Sequence, residues 1–247
     1  MNKYDAIVIG AGHNGLTNAA YLAKAGLKVA VLERNPYIGG ATVSRELHKG
    51  WTYSNCSYVC SLLRPEIARD LELPRHGLQV VPYGGGVTFK RDGGYYGNYY
   101  DHNRQYREMS RHSKRDANAY ERYTADVMKQ TRLIRPFLLK RPPDPTSLKL
   151  RDLRDLAEFA SPFLAMGEEG LADTLKFWTK SVGDYLEEYF ESDVIKAHMA
   201  GSGIIGTALG VYSPGTAYVL LHHYMGDVLS LIHISEPTRP TRASRMP

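Results

Sequence analysis

The clearest chemical pattern in this sequence is the run Gly10-Ala11-Gly12-His13-Asn14-Gly15, which has the form G-x-G-x-x-G. In a strand-to-helix turn, the first glycine permits the tight bend, the second lets the backbone approach a pyrophosphate, and the third allows close helix packing. The N–H groups at the start of the following helix would face the phosphates. The pattern predicts that a dinucleotide diphosphate contacts Gly10, Gly12, His13, Asn14 and Gly15.

An acid completes the pattern. Glu33 lies 18 residues after Gly15, close to the spacing of about 20 residues at which an acid accepts hydrogen bonds from a ribose diol. A carboxylate there repels a 2′-phosphate, so we expect no NADP site at this position. The alternative is a glycine-rich turn without a ligand. The strand, the helix and the acid around the turn favour the dinucleotide site.

The elements that must position these residues are short and regular. Tyr4–Ile9 is an apolar run typical of a buried strand, Asn14–Ala25 has small apolar residues at helical spacing, and Lys28–Leu32 is a second apolar strand. Gly26 follows the helix as a stop signal. Strand, helix and strand within about 30 residues predict a right-handed βαβ unit. The N-terminal part is therefore predicted to be α/β.

The rest of the chain mixes strands and helices. Leu78–Tyr100 is predicted to be rich in strands, with glycines in its turns. Helices are predicted over Leu62–Leu71, Ser113–Leu139, Leu150–Ala165 and Leu171–Phe190. This organisation predicts a nucleotide-binding portion over residues 1–77 and an α+β portion over residues 78–228.

The residues after Glu33 bear on the type of nucleotide. Gly39-Gly40 follows the acid closely and offers a second point of close backbone approach. With the glycine run, this segment resembles the N-terminal FAD site of the phytoene desaturase and flavin amine oxidase superfamily. The resemblance implies a glutathione-reductase-like FAD-binding βαβ unit followed by a substrate domain that is incomplete at the C-terminus. It also implies that Arg34 lies near the adenosine and that Gly40 and Ala41 approach the flavin.

Later segments extend the resemblance to one branch of that superfamily, called pyridine nucleotide-disulfide oxidoreductase domain-containing protein 2. The segments that carry it are Gly50–Ser54, Ser57–Tyr58, Ser61–Ile67, Tyr189–Ser192, Lys196–Ala197 and Ser213–Gly226. The resemblance implies an FAD-dependent oxidoreductase that takes a hydride or electron pair from an organic substrate, with apolar molecules among the candidates. Two alternatives stay open: an FAD-fold scaffold or regulatory protein without turnover, and an NAD-dependent dehydrogenase. No catalytic residue is predicted.

Composition narrows the class of protein. The 247 residues include 43% hydrophobic residues, two cysteines and a formal charge of +5, which indicate a globular protein without a disulfide scaffold. Cys56 and Cys60 form no redox or metal motif, and Arg104–Arg115 is predicted to be a solvated helix face. We expect no metal and no nucleic-acid partner.

No leader or membrane-spanning run is found, so we expect a cytoplasmic protein. An apolar substrate would favour peripheral membrane contact, although no amphipathic anchor is evident from the sequence.

The last 19 residues follow a different pattern. The superfamily resemblance stops near Val228, and Leu229–Arg239 resembles translated read-through of a sequencing-library adapter. We expect residues 229–247 to be a non-native tail on an N-terminal fragment that folds poorly and binds FAD weakly. The alternative is a natural disordered tail rich in proline and arginine.

Overall fold

The computed structural model describes residues 3–54, 56, 57, 60, 62–81, 84–227 and 233–235. The chain divides into two compact units, residues 1–82 with 231–247 and residues 83–230. The predicted assignment of residues 1–77 to a cofactor and 78–228 to a substrate remains a prediction, because compactness alone defines these units. The prediction for residues 229–247 lies outside the described residues, apart from 233–235.

The first unit begins with the predicted strand–helix–strand arrangement. Strand β1 (Ala6–Ile9) and strand β2 (Val29–Leu32) are parallel, with Ala6 opposite Val29. Helix α1 (His13–Lys24) connects them. The predicted α/β fold class is confirmed, and the βαβ unit positions the glycine run between β1 and α1.

The rest of the first unit consists of short elements. Strands β3 (Ser44–His48) and β4 (Trp51–Ser54) form an antiparallel pair, and helix α2 (Pro65–Asp70) follows. Strand β5 (Gln79–Val81) pairs with the last described strand, β8 (His233–Ser235). Two 3₁₀ turns cover Gly40–Thr42 and Leu73–His76.

The second unit opens with a hairpin and continues as helices. Strands β6 (Gly85–Phe89) and β7 (Tyr95–Tyr99) are antiparallel. The helices are α3 (His102–Ser110), α4 (Lys114–Ile134), α5 (Leu150–Leu164), α6 (Gly167–Thr179), α7 (Val182–Glu187), α8 (Asp193–Ala200), α9 (Thr216–Val219) and α10 (Leu221–Asp227). Two 3₁₀ turns lie at Arg135–Leu139 and Gly201–Gly203.

The core of the second unit is centred on one tyrosine of α4. Tyr123 is fully buried, and its ring lies 5.1 Å from the ring of Phe190 and 5.5 Å from the ring of Tyr189. Buried aliphatic residues of α7, α8 and the α9–α10 segment complete the core: Val182, Leu186, Ile195, Leu220 and Leu221. Burial of this apolar surface holds the helices together.

The structure differs from the predicted helix over Leu171–Phe190, which is interrupted. Lys180 is extended, and the Ser181 hydroxyl accepts a hydrogen bond from the Asp184 amide at 3.0 Å, which begins α7. The apolar pattern continues through the break, so periodicity alone indicates one helix. The capping serine and the extended residue before it decide the break.

Within the part of the chain that the structure describes, no helix combines the length and the apolar character needed to cross a membrane.

Candidate functional site

The loop between β1 and α1 is shaped by its first glycine. Gly10 has a φ of +99°, which a residue with a side chain rarely adopts, and its amide donates to the Leu32 carbonyl at 2.7 Å. Helix α1 then begins at His13 with Gly12 as N-cap, which supplies no side-chain oxygen to the first turn. The N–H groups of that turn are therefore available to an anion at the positive end of the helix dipole.

The other two glycines of the run differ in the space around them. A Cβ on Gly15 would lie 2.1 Å from the Gly10 carbonyl oxygen, so Gly15 is required for the helix to pack on the loop. A Cβ on Gly12 would meet only the Gly40 Cα, at 3.8 Å. Gly12 thus borders an open space between the loop and Gly40, which we call the cradle. Gly15, in contrast, is enclosed by neighbouring atoms.

Glu33 at the end of β2 is bound to the same loop. Its Oε2 accepts a hydrogen bond from the Ala11 amide at 2.7 Å, and its Oε1 accepts from the Asn35 amide at 2.8 Å and side chain at 3.0 Å. The hydrogen bonds from Asn35 and then Ala11 hold the pKa of the Glu33 carboxyl below its usual value. A carboxylate has about four acceptor positions. These donors use three of them, and the Arg34 amide also interacts with the carboxylate, so a ribose hydroxyl would share an oxygen that already accepts a hydrogen bond.

A third segment closes the loop from the other side. The Gly39 amide donates to the Ala11 carbonyl at 2.8 Å, and Gly12 and Gly39 form a parallel bridge. Gly40 has a φ of +59°, and a Cβ there would lie 2.9 Å from the Gly12 Cα. The glycine pair is therefore required for this close approach, and it places Gly40 against the open cradle at Gly12.

The remaining predicted site residues lie on the rim. His13 and Asn14 are exposed in the first turn of α1, Arg34 is exposed beside Glu33, and Ala41 is exposed in the 3₁₀ turn. The structure thus brings together every residue of the predicted site, although their binding role stays a prediction. Asn35 was missed by the sequence analysis. Its position two residues after an acid is the signal that could have revealed it.

Two further pairs of residues could do chemistry, the cysteines at 56 and 60 and the adjacent histidines at 222 and 223. Cys56 is exposed, and Cys60 is partly buried, which raises the pKa of its thiol. In α10, His222 is exposed and His223 is half-buried, as expected for adjacent residues on a helix.

The chain is similar in sequence to several known proteins. Residues 8–69 match the NAD(P)-binding Rossmann-like domain family. The mouse pyridine nucleotide-disulfide oxidoreductase domain-containing protein 2 is 37% identical over 243 residues, covering 92% of this chain and 41% of the mouse protein. The predicted resemblance is confirmed. One of the limonene dehydrogenase subunits of Castellaniella defragrans is 37% identical over 122 residues, covering 49% of this chain and 22% of that protein.

A solved structure shows the same fold. The A394C mutant of putrescine oxidase aligns over 94% of this chain and 46% of its own, with a TM-score of 0.52 and 17% identity. At this identity the likeness concerns the fold alone. The chain spans less than half the length of these relatives.

Proposed function

We propose that this chain contains the FAD-binding site of an oxidoreductase that takes a hydride or an electron pair from an organic, apolar substrate. The observation that carries the proposal is the open cradle at Gly12. Three separate segments converge on it, and two of them need glycine for their close contacts. If the loop served packing alone, we would expect side chains to fill this space and a polar side chain to cap the start of α1. Neither is found at Gly12.

Different residues of the site would contact different parts of the nucleotide. The first turn of α1 would hold the diphosphate through its N–H groups, and the Glu33 carboxylate would accept a hydrogen bond from a ribose hydroxyl. Gly40 would let the backbone pass close to the flavin end. When bound, FAD would accept the electrons, and the protein would position and tune it.

The choice of FAD rests on resemblance. The matched Rossmann-like domain family is described as NAD(P)-binding, and the glycine run with its acid suits either dinucleotide. The Gly39-Gly40 segment and the similarity over 243 residues to the mouse protein favour the flavin group. Limonene is an apolar hydrocarbon. The similarity to a limonene dehydrogenase subunit therefore supports an apolar substrate.

The test is FAD binding by the chain and by a Gly12→Ala variant. Gly12 has a φ of −76°, and its added methyl group would meet the nearest atom at 3.8 Å, so we expect the fold to be unchanged. The methyl group would occupy the cradle and weaken FAD binding by at least about tenfold, through lost contact with the diphosphate. The measurement is quenching of FAD fluorescence on titration with protein, with NAD as competitor.

A matched control is Gly201→Ala, where an added Cβ also meets open space but lies in the second unit. We expect its FAD affinity and its thermal unfolding to equal those of the original chain. The proposal is wrong if NAD binds to the folded chain and FAD does not, or if Gly12→Ala and Gly201→Ala bind FAD equally. Bound FAD that resists reduction by every tested donor would favour the scaffold alternative.

A further inference from the structure

The second unit exposes a row of leucines at one end. Leu148 and Leu150 have exposed fractions of 88% and 85%, and Leu153 and Leu164 have 44% and 75%. Leu148 precedes α5, and the other three belong to it. We call these four residues the leucine face. Single exposed leucines are ordinary on protein surfaces, whereas a row along one helix needs a partner.

The leucine face is one of two apolar sides of α5. On the other side, the ring of Phe159 lies 4.8 Å from the ring of Phe137, and the ring of Phe163 lies 6.1 Å from it. These contacts attach α5 to the rest of the unit without using the leucines. Spacings of three, four and seven residues place Leu150, Leu153, Ala157 and Leu164 along the outer side. Over 15 residues the helix is about 22 Å long.

The acidic residues near the leucine face all form ion pairs. Arg141 lies 2.5 Å from Asp152 and 3.2 Å from Asp155, while Glu158 lies 3.3 Å from both Lys140 and Arg154. All three acids of α5 are therefore bound to cations of the same unit.

Two cations beside the leucines lack such a partner. Lys149 and Arg151 alternate with Leu148 and Leu150, and neither lies within ion-pair distance of a described carboxylate, although Lys149 is near enough to help lower the pKa of the Asp152 carboxyl. A second copy of the chain would bring like charges together on this face. An anionic surface would compensate them instead.

We propose that the leucine face docks on an anionic lipid surface. Helix α5 would lie parallel to the membrane, with the leucines among the acyl chains and the ammonium and guanidinium groups of Lys149 and Arg151 at the phosphates. This geometry needs no membrane-spanning helix. The sequence analysis predicted this helix but found no amphipathic anchor in it, because only the tertiary structure decides which apolar residues of α5 pack against Phe137 and which stay exposed.

The test is co-sedimentation of the chain with vesicles of phosphatidylcholine containing phosphatidylserine, and with vesicles of phosphatidylcholine alone. We expect binding to the first kind only, weakened by added salt. Leu148→Ser with Leu150→Ser should lower the affinity at least about tenfold, because two inserted side chains are lost. Lys149→Glu with Arg151→Glu should also lower it at least about tenfold.

Matched controls separate this face from general surface properties. Leu209→Ser replaces another exposed leucine, and Arg107→Glu with Lys114→Glu reverses two exposed cations on α3 and α4. We expect both controls to bind vesicles as the original chain does, with all variants folded by circular dichroism. Equal losses in the controls, absence of binding by the original chain, or self-association through the leucine face would each overturn the proposal.

Discussion

At the residue scale, Glu33 has a structural task as well as its proposed ligand-binding one. Its carboxylate joins the end of β2 to the Ala11 amide, 22 residues earlier. The same side chain orders Asn35 in the following turn. The loop geometry at Gly12 therefore depends on the ionised form of one side chain.

This dependence predicts a pH effect. The folded-state pKa of Glu33 is below its ordinary value of 4.5, so ionisation stabilises the loop above that pH. The stabilisation is lost as the pH falls through the lower folded-state value. We expect the amide resonance of Ala11 to shift with a midpoint below 4.5 in an NMR titration. Glu33→Gln should abolish that shift, whereas the control Glu66→Gln on α2 should leave the shift unchanged. A midpoint at or above 4.5 would contradict the lowered pKa of Glu33.

At the element scale, a buried acid joins two helices. Asp116 in the first turn of α4 is fully buried, and its carboxylate accepts hydrogen bonds from the Glu191 and Ser192 amides, each at 2.9 Å. These amides lie immediately before α8, whose N-cap is Ser192. One buried side chain therefore sets where α8 starts relative to α4, and both partly buried N–H groups donate to it.

Asp116→Ala should lower the free energy of unfolding by about 2–4 kcal/mol, because the two partly buried N–H groups lose the charged acceptor that they share. The measurement is urea unfolding in a Trp51→Phe background, which leaves Trp178 in the second unit as the remaining tryptophan. The control is Arg115→Ala, which removes an exposed ion pair with Glu191 and should cost at most about 1 kcal/mol. Equal losses for the two variants would show that the buried acceptor is unimportant.

At the scale of the whole molecule, the first unit leaves apolar strand residues uncovered. Ile7 and Ile9 on one side of β1 have exposed fractions of 63% and 87%, whereas Ala6 and Val8 on the other side are half-buried. Among the described residues, the sheet of β1 and β2 has two strands, and both of its edges lack a further strand. Such a surface favours association with other apolar surfaces.

Replacing both exposed isoleucines by threonine should reduce this tendency. Threonine keeps a high strand preference, so we expect Ile7→Thr with Ile9→Thr to change the free energy of unfolding by at most about 1 kcal/mol. Binding of a hydrophobic dye such as anilinonaphthalene sulfonate should fall and solubility should rise. Val8→Thr is the control, since it polarises the side facing Gly15 and should destabilise the unit. Unchanged dye binding would place the apolar surface elsewhere.

Much of the candidate site could be predicted because its signals are local. The positions of β1, α1 and β2 follow from short-range apolar periodicity and from glycines in turns, which act within a few residues. The spacing of the glycine run and Glu33 indicated a common site, and both indeed lie at the same loop. The contact of Gly40 with Gly12 was not predicted, because no local rule determines which loops meet.

The sequence by itself determined the βαβ unit, the glycine loop and the superfamily resemblance. Only the tertiary structure decided that Glu33 binds the Ala11 amide, that Gly12 is open while Gly15 is enclosed, and that α7 begins anew at Ser181. It also decided that Phe159 and Phe163 pack against Phe137, whereas Leu150, Leu153 and Leu164 are exposed. The physical reason is that periodicity reports which residues are apolar, whereas burial depends on which distant segments pack against them.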